Sequence, residues 1–180
     1  MTKPFLWSRR TVLMILPVLL AVSCRRAQPV AVVNTDEQGP AMASTVHTGA
    51  PGSDAQLVSG FYGIEQNAWR WTAQQFSVVL RPPAGAAQKG ANLVVNLTVP
   101  DGVIAKLKAI SLSASIAGNS FPPETYTQPG PYTFTRSIPP ALLGIDAVKV
   151  EFQLDKVMPP SNGDIRPLGI IVSSVGFEPK

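Results

Sequence analysis

The sequence contains very few of the residues on which catalysis, metal binding and disulfide formation depend. Its 180 residues include one cysteine, Cys24, and one histidine, His47. A single cysteine excludes an intrachain disulfide, and with a single histidine it also excludes a zinc site built from Cys and His ligands. Charged residues make up 14% of the chain, against roughly 25% in typical soluble domains, which argues against a coiled coil or a charge-driven disordered chain.

Catalytic motifs are absent too. The chain has no Gly-x-Ser-x-Gly turn and no phosphate-binding glycine loop, and a serine or threonine nucleophile would have His47 as its one available histidine base. Glu65 and Glu124 are the best-placed acids for glycoside hydrolysis, but their spacing does not pair them. Aspartates in the predicted turns are interpreted as caps of backbone amides rather than as calcium ligands. We therefore expect no enzymatic activity, no cofactor and no metal.

The N-terminal segment has the pattern of an export signal. Lys3, Arg9 and Arg10 precede an apolar run over residues 12–22. This run is 11 residues long, whereas a membrane-spanning helix needs about 20, so it has the length of a cleaved signal. Residues 8–13 also resemble a twin-arginine export signal, and an ordinary basic region is the alternative.

The end of this segment, Leu20-Ala21-Val22-Ser23-Cys24, resembles the lipobox of bacterial lipoprotein signals. The resemblance implies cleavage between Ser23 and Cys24 and attachment of a lipid to the Cys24 thiol. Because Cys24 is the one thiol of the chain, its position at the cleavage point fits this use. A plain signal peptide with an incidental cysteine is the alternative. The lipoprotein interpretation predicts an exported protein, lipid-anchored to the cell membrane or outer membrane on the periplasmic or surface side.

The charge balance argues against nucleic acid as a partner. The full chain has a net charge of +4, but three of its 15 basic residues would leave with the signal. The remaining 12 basic and 11 acidic residues give a net charge of +1. No basic patch of the kind that binds nucleic acid is expected to remain.

Residues 24–56 have the composition of a tether. They are rich in Ala, Pro, Gly, Ser and Thr and contain no aromatic residue, so they cannot bury enough apolar surface to order themselves. We predict a disordered tether between the lipidated Cys24 and the folded domain. His47 lies in this segment and is predicted to be solvated.

From residue 57 onward, short runs of alternating or β-branched residues are separated by turn signals. Strands are predicted at residues 57–62, 68–72, 76–81, 91–99, 106–116, 132–136, 147–154 and 168–177. In residues 106–116 the apolar phase slips near Lys108, which predicts a β-bulge. The pattern predicts an all-β fold over residues 57–180, a single antiparallel β-sandwich of jelly-roll or immunoglobulin-like type, behind the signal peptide (residues 1–23) and the tether.

The richest aromatic segment follows the start of this domain and has two possible interpretations. In a strand, Trp69 and Trp71 would point to one face and Arg70 to the other. One interpretation is a platform for a sugar ring, in which Tyr62 and Trp69 supply aromatic surface while Glu65 and Arg70 bond to hydroxyl groups. The alternative is structural: Trp71 fills the core, Trp69 packs near its edge and Glu65 pairs with Arg70.

Two motifs open and close the domain. They are Gly60-Phe61-Tyr62-Gly63-Ile64-Glu65 with Trp69-Arg70-Trp71-Thr72, and Asp164-Ile165-Arg166-Pro167-Leu168-Gly169. Both resemble motifs of a small β-sandwich module that occurs attached to, or encoded near, bacterial sugar-transfer and envelope-polysaccharide proteins. The resemblance covers about residues 57–178 and implies a non-catalytic accessory or sugar-binding role.

Each motif contributes one acid and one arginine, namely Glu65 with Arg70 and Asp164 with Arg166. These side chains are predicted to meet as a buried polar cluster that supports the fold, so that Arg166→Ala would lower stability by a few kcal/mol. From the whole sequence we expect a non-catalytic, membrane-anchored lipoprotein of the cell envelope that binds carbohydrate or assists polysaccharide work. The alternative is a structural or protein-interaction lipoprotein with an envelope protein as its partner and no sugar ligand. The exposure of Trp69 distinguishes the two.

Overall fold

The computed structural model describes residues 42–144, 146–161 and 163–180, so the predicted signal peptide, Cys24 and most of the predicted tether lie outside the described residues. The described residues form ten strands and two short helices. The strands are β1 (Thr45–His47), β2 (Leu57–Glu65), β3 (Trp69–Leu80), β4 (Ala91–Val99), β5 (Ile110–Ile116), β6 (Asn119–Ser120), β7 (Glu124–Tyr126), β8 (Gly130–Ile138), β9 (Val148–Leu154) and β10 (Ile171–Pro179). The α-helices are α1 (Ala86–Lys89) and α2 (Asp101–Leu107), and 3-10 turns lie at Ser53–Ala55 and Pro140–Leu142.

The strands of the described chain join into one antiparallel sheet in which β3 is shared by two halves. The C-terminal part of β3 pairs with β9, which continues to β5 and the short β6 and β7; we call this the β9 half. The N-terminal part of β3 pairs with β10, which continues to β4 and β8 and carries β1 on its other edge; we call this the β10 half. The sheet therefore curls over itself, and the predicted all-β antiparallel sandwich is confirmed.

The strand β3 passes from one half to the other at a corner that requires a glycine. Its partner β2 follows it, with a break in register between Ser59 and Phe61. Gly60 lies at this break with φ of 73°, and a Cβ there would overlap the backbone of Gln75 and Phe76. Glycine adopts this left-handed conformation without a steric penalty, which allows the two strands to approach closely.

The inner faces of both halves pack against one apolar core. Alternate residues of β4 and β9 are buried, which is the pattern that predicted these two strands. At the centre, the rings of Phe76 and Phe152 are stacked with centroids 4.8 Å apart, and Phe61 meets Phe76 edge-on at 5.3 Å. Burial of this apolar surface is the main term that favours folding. The side chains at the intervening positions face outward and form the two outer faces of the domain.

The folded domain begins before residue 57, which corrects the predicted boundary. Strand β1 pairs with β10, with Val46 opposite Val175, and Thr48 and Ser53 are buried. The prediction of a disordered tether is therefore wrong from Thr45 onward. The polar composition of this segment gives no sign of a strand, because β1 is ordered by backbone pairing with β10 rather than by apolar residues of its own. His47 lies in β1, where its side chain is exposed.

A short helix occupies the start of the strand predicted over residues 106–116. Helix α2 ends at Leu107, Lys108 follows with φ of 67°, and β5 begins at Ile110. The slip of apolar phase near Lys108 is the change from helical to strand periodicity, so the predicted bulge is wrong. The longest helix in the described ranges, α2, has seven residues, and no described helix has the length and apolarity needed to cross a membrane.

Candidate functional site

An aromatic pair lies on the outer face of the β10 half. In β3, Arg70 and Thr72 are buried, so the strand alternation directs Trp69 and Trp71 to the opposite face, where both are half-buried. Trp71 also packs against the core, in agreement with the structural interpretation of that residue. Their rings are edge-to-face, with centroids 6.4 Å apart and an interplanar angle of 79°. Glu65 of β2 is directly opposite Trp69 in the register, which places its side chain on the same face.

A bulge in β2 adds a tyrosine to this region. Between the pairs Phe61–Thr72 and Ile64–Arg70 the register shifts, so that Tyr62 lies in an irregular stretch of the strand. Bulges of this kind re-aim side chains. The Tyr62 hydroxyl donates to the carbonyl oxygen of Pro167 at 2.9 Å, and this bond joins the opening motif to the closing one.

The closing motif supplies a cluster of three charged side chains, Glu65, Asp164 and Arg166. Arg166 Nη1 donates to Glu65 Oε1 at 3.1 Å, and Nη2 donates to Asp164 Oδ2 at 2.7 Å. The guanidinium carbon lies 5.2 Å from the centre of the Tyr62 ring. The three charged side chains are each about one-third exposed, with values of 32%, 34% and 33% for Arg166, Glu65 and Asp164. The cluster is therefore open to solvent on one side rather than fully buried.

The cluster changes the acidity of its members. Hydrogen bonds from the side chain and then the backbone N–H of Arg166 lower the pKa of Asp164 to about 2. The side-chain bond to Asp164, with a further contribution from Glu65, raises the pKa of Arg166. Both groups are charged over the whole physiological range, and they offer a ligand fixed charges rather than a proton-transfer pair.

Arg70 belongs to a different place in the fold, which corrects two predictions about it. Its side chain is buried, with Nε donating to the carbonyl of Thr48 at 2.8 Å and Nη1 donating to the carbonyl of Tyr62 at 3.1 Å. Its ion-pair partner is Asp54, at 2.9 Å, and not Glu65. Arg70 therefore neither joins the cluster of Glu65, Asp164 and Arg166 nor faces the surface of Trp69, because adjacent residues of a strand point to opposite sides.

The partners of Arg70 were missed by the sequence analysis. Thr48 and Asp54 lie in the segment that was assigned to the disordered tether, and their composition carries no signal of a buried contact. The pairing of Glu65 with Arg166, by contrast, follows from the two motifs and is observed.

The arrangement of Tyr62, Glu65, Trp69, Trp71 and Arg166 combines aromatic surface with polar groups that can form hydrogen bonds. Such a surface can stack against an apolar ring face and bond to hydroxyl groups at the ring edge. Neither a nucleophile with a base nor a metal cage is part of it: within residues 42–144, 146–161 and 163–180 no three His, Cys, Asp or Glu side chains are grouped as metal ligands. Cys24, the predicted lipidation site, lies outside the described residues.

Two apolar side chains adjoin the charged cluster in the chain. Ile64 precedes Glu65 and is 41% exposed, and Ile165 precedes Arg166 and is 86% exposed. Exposed large apolar side chains next to a polar cluster are also found at protein-binding surfaces. Comparison with known proteins adds no assignment to this geometry: the chain matches no protein-family model and no curated protein.

Proposed function

We propose that the protein is a non-catalytic lipoprotein of the cell envelope that binds carbohydrate through the outer face of its β10 half. The observation that carries the proposal is the half-buried, edge-to-face pair Trp69 and Trp71 with Glu65 directly opposite Trp69. A pyranose ring has apolar C–H faces and hydroxyl groups at its edge. A site that binds it therefore needs an aromatic surface and a hydrogen-bonding group side by side. The ordered surroundings of Glu65, held by Arg166, limit the entropy lost on binding.

The resemblance of the opening and closing motifs to a module associated with envelope-polysaccharide proteins supports the same class of ligand. Three of the residues that carry the resemblance, Tyr62, Glu65 and Arg166, are in contact or joined through one another in the fold. On this basis the protein would accompany polysaccharide synthesis or attachment rather than perform the chemistry.

Tryptophan fluorescence tests the sugar-binding proposal directly. In the full chain carrying Trp7→Phe, the remaining emission comes from Trp69 and Trp71, and it is titrated against a panel of bacterial and plant polysaccharides. We expect a saturable change with at least one member of the panel. Trp69→Ala should weaken that binding about tenfold or more, because truncation of a central aromatic removes most of the contact.

Two isosteric variants provide the control for this experiment. Glu65→Gln should weaken binding because it removes the carboxylate beside Trp69. Glu178→Gln changes an exposed glutamate at the far end of β10 and should leave binding unchanged. Emission that no polysaccharide alters would contradict the proposal.

Membrane attachment through Cys24 is the second part of the proposal. It rests on the export signal and the lipobox-like segment, both of which lie outside the described residues. In bacterial cells, Cys24→Ser should move the protein from the membrane fraction to the soluble fraction and abolish incorporation of labelled palmitate. A variant that keeps both properties would disprove the lipid anchor.

A protein partner is the second candidate ligand, and the exposure of Ile165 next to Arg166 favours it. Here the charged cluster would orient the partner while Ile165 is buried at the interface. A photo-cross-linker placed at Ile165 in cells should then give one defined adduct that Arg166→Met removes. The same cross-linker at Thr135, an exposed position on β8, should not give that adduct.

A further inference from the structure

A groove crosses the outer face of the β9 half, away from the surface of Trp69 and Trp71. Its volume is about 560 Å³, within the size range of small-molecule sites. The side chains that line it belong to five neighbouring strands, β2, β3, β9, β5 and β6. At about 4.8 Å between neighbouring strands, the groove extends roughly 19 Å across the sheet.

The floor of the groove is a row of small hydroxyl side chains. The strand registers place Ser59 opposite Ser77, Ser77 opposite Glu151, Glu151 opposite Ser115 and Ser115 opposite Ser120. The row therefore contains four serines and one glutamate, of which Ser77 is buried and the other four are at least partly exposed. Because the serine side chains are small, they leave open space above the sheet, and the longer side chains of the groove lining border that space.

Several polar side chains of this groove are not used by the fold. The hydroxyls of Ser59 and Ser77 bond to each other at 2.8 Å. For Gln75, Ser115 and Ser120, by contrast, the described part of the chain offers no hydrogen-bond partner to the side chain. Both donors and acceptors are thus available on one concave surface, which is what a ligand with many hydroxyl groups requires.

The charges in the groove compensate each other. The lining contains one cation and one anion, Lys149 and Glu151, which are joined at 2.8 Å. A ligand of either charge would have to compete with this pair, whereas a neutral ligand leaves it intact. The aromatic residues of the lining, Phe76 and Phe152, are buried in the core and offer no open ring face.

From these observations we propose that the groove of the β9 half binds a short neutral oligosaccharide through hydrogen bonds to its serine and glutamine side chains. This site is separate from the aromatic surface and does not depend on the function proposed for it. The row of hydroxyls fits a chain of sugar rings laid across the strands, and the absence of an exposed ring in the groove lining predicts modest affinity.

Calorimetric titration of the full chain tests this proposal. The protein is kept in a detergent without a sugar headgroup, and the probes are maltotriose, cellotriose and chitotriose, with trigalacturonate as the charged comparison. We expect saturable binding of at least one neutral probe and weaker binding of trigalacturonate. Gln75→Ala should weaken binding of the neutral probe about fivefold, as expected for one lost hydrogen bond.

A groove-filling variant and two controls locate the binding. Ser115→Phe should abolish it, while Thr135→Phe, the same kind of change on the exposed face of β8, should leave it intact. Trp69→Ala removes any contribution of the aromatic surface, and the binding that remains in it should still be lost when Ser115→Phe is added. Binding that Trp69→Ala removes but Ser115→Phe and Gln75→Ala do not would place the sugar on the aromatic surface and overturn the groove proposal. A wild-type chain that binds none of the neutral probes would overturn it as well.

Discussion

The two arginines that the sequence treats alike have different energetic roles. Arg70 is 5% exposed and bonds to two backbone carbonyls in addition to Asp54, whereas Arg166 is about one-third exposed and bonds to two carboxylates at the surface. Replacing Arg70 leaves the carbonyls of Thr48 and Tyr62 without these partners. We therefore expect Arg70→Met to lower the free energy of unfolding by about 3 kcal/mol.

Arg166→Met is the matched change at the exposed site. Solvent screens its ion pairs, so we expect a loss of about 1 kcal/mol or less. This expectation replaces the larger effect predicted from a buried cluster. Urea unfolding of both variants measures the difference, and an equal loss at the two positions would contradict the assignment of Arg70 as the structural arginine.

The carboxyl group of Asp164 makes the stability of the folded domain depend on pH below about 4. Hydrogen bonds from Arg166 hold its pKa at about 2, below its usual value of 3.8. A pKa that is lower in the folded state contributes stability above the usual value, and this contribution is lost as the pH falls from about 4 to about 2. The wild-type chain should therefore lose more stability over that interval than Asp164→Asn, as measured by urea unfolding at each pH. Asp101→Asn, at an exposed position in α2, should follow the wild type.

At the scale of single elements, β1 is the strand that lies in the segment predicted to be a disordered tether. Its attachment depends on Gly176 of β10, where a Cβ would overlap Thr45. Gly176→Ala should therefore displace β1 and speed amide hydrogen exchange at Thr48, whose N–H donates to Ser173. Exchange in β4 should remain slow, because β4 lies on the other side of β10. Gly63→Ala, where nothing lies within 4 Å of the new Cβ, is the control.

Strands in which apolar and polar side chains alternate could be predicted from the sequence. Elements that are held in place by contacts with distant parts of the chain could not. Strand β4 occupies the predicted residues because one face is apolar along its whole length. Strand β1 and the contacts of Arg70 depend on β10 and on the segment before β2, which are distant in sequence or composed of small polar residues. The ion pair of Glu65 and Arg166 could be predicted because both residues belong to recognisable motifs. The groove could not be predicted from the sequence, because its serines belong to separate strands and are brought side by side by the register in which those strands pair.

For the whole molecule, the sharing of β3 between the two halves predicts cooperative unfolding. One core joins both inner faces, and Phe76 of β3 stacks on Phe152 of the β9 half while Trp71 of the same strand lies beside β10. Separating the halves would expose this core on both sides, so a state with one half folded is disfavoured.

Two probes measure this cooperativity in the full chain carrying Trp7→Phe. Tryptophan fluorescence reports the β10 half through Trp69 and Trp71, and far-ultraviolet circular dichroism reports all strands. The urea transitions from both probes should coincide, with the same midpoint and the same dependence on denaturant. A fluorescence transition that precedes the loss of strand signal would mean that the β10 half unfolds alone, and the corner at Gly60 would then act as a boundary between two units rather than as a continuous strand pair.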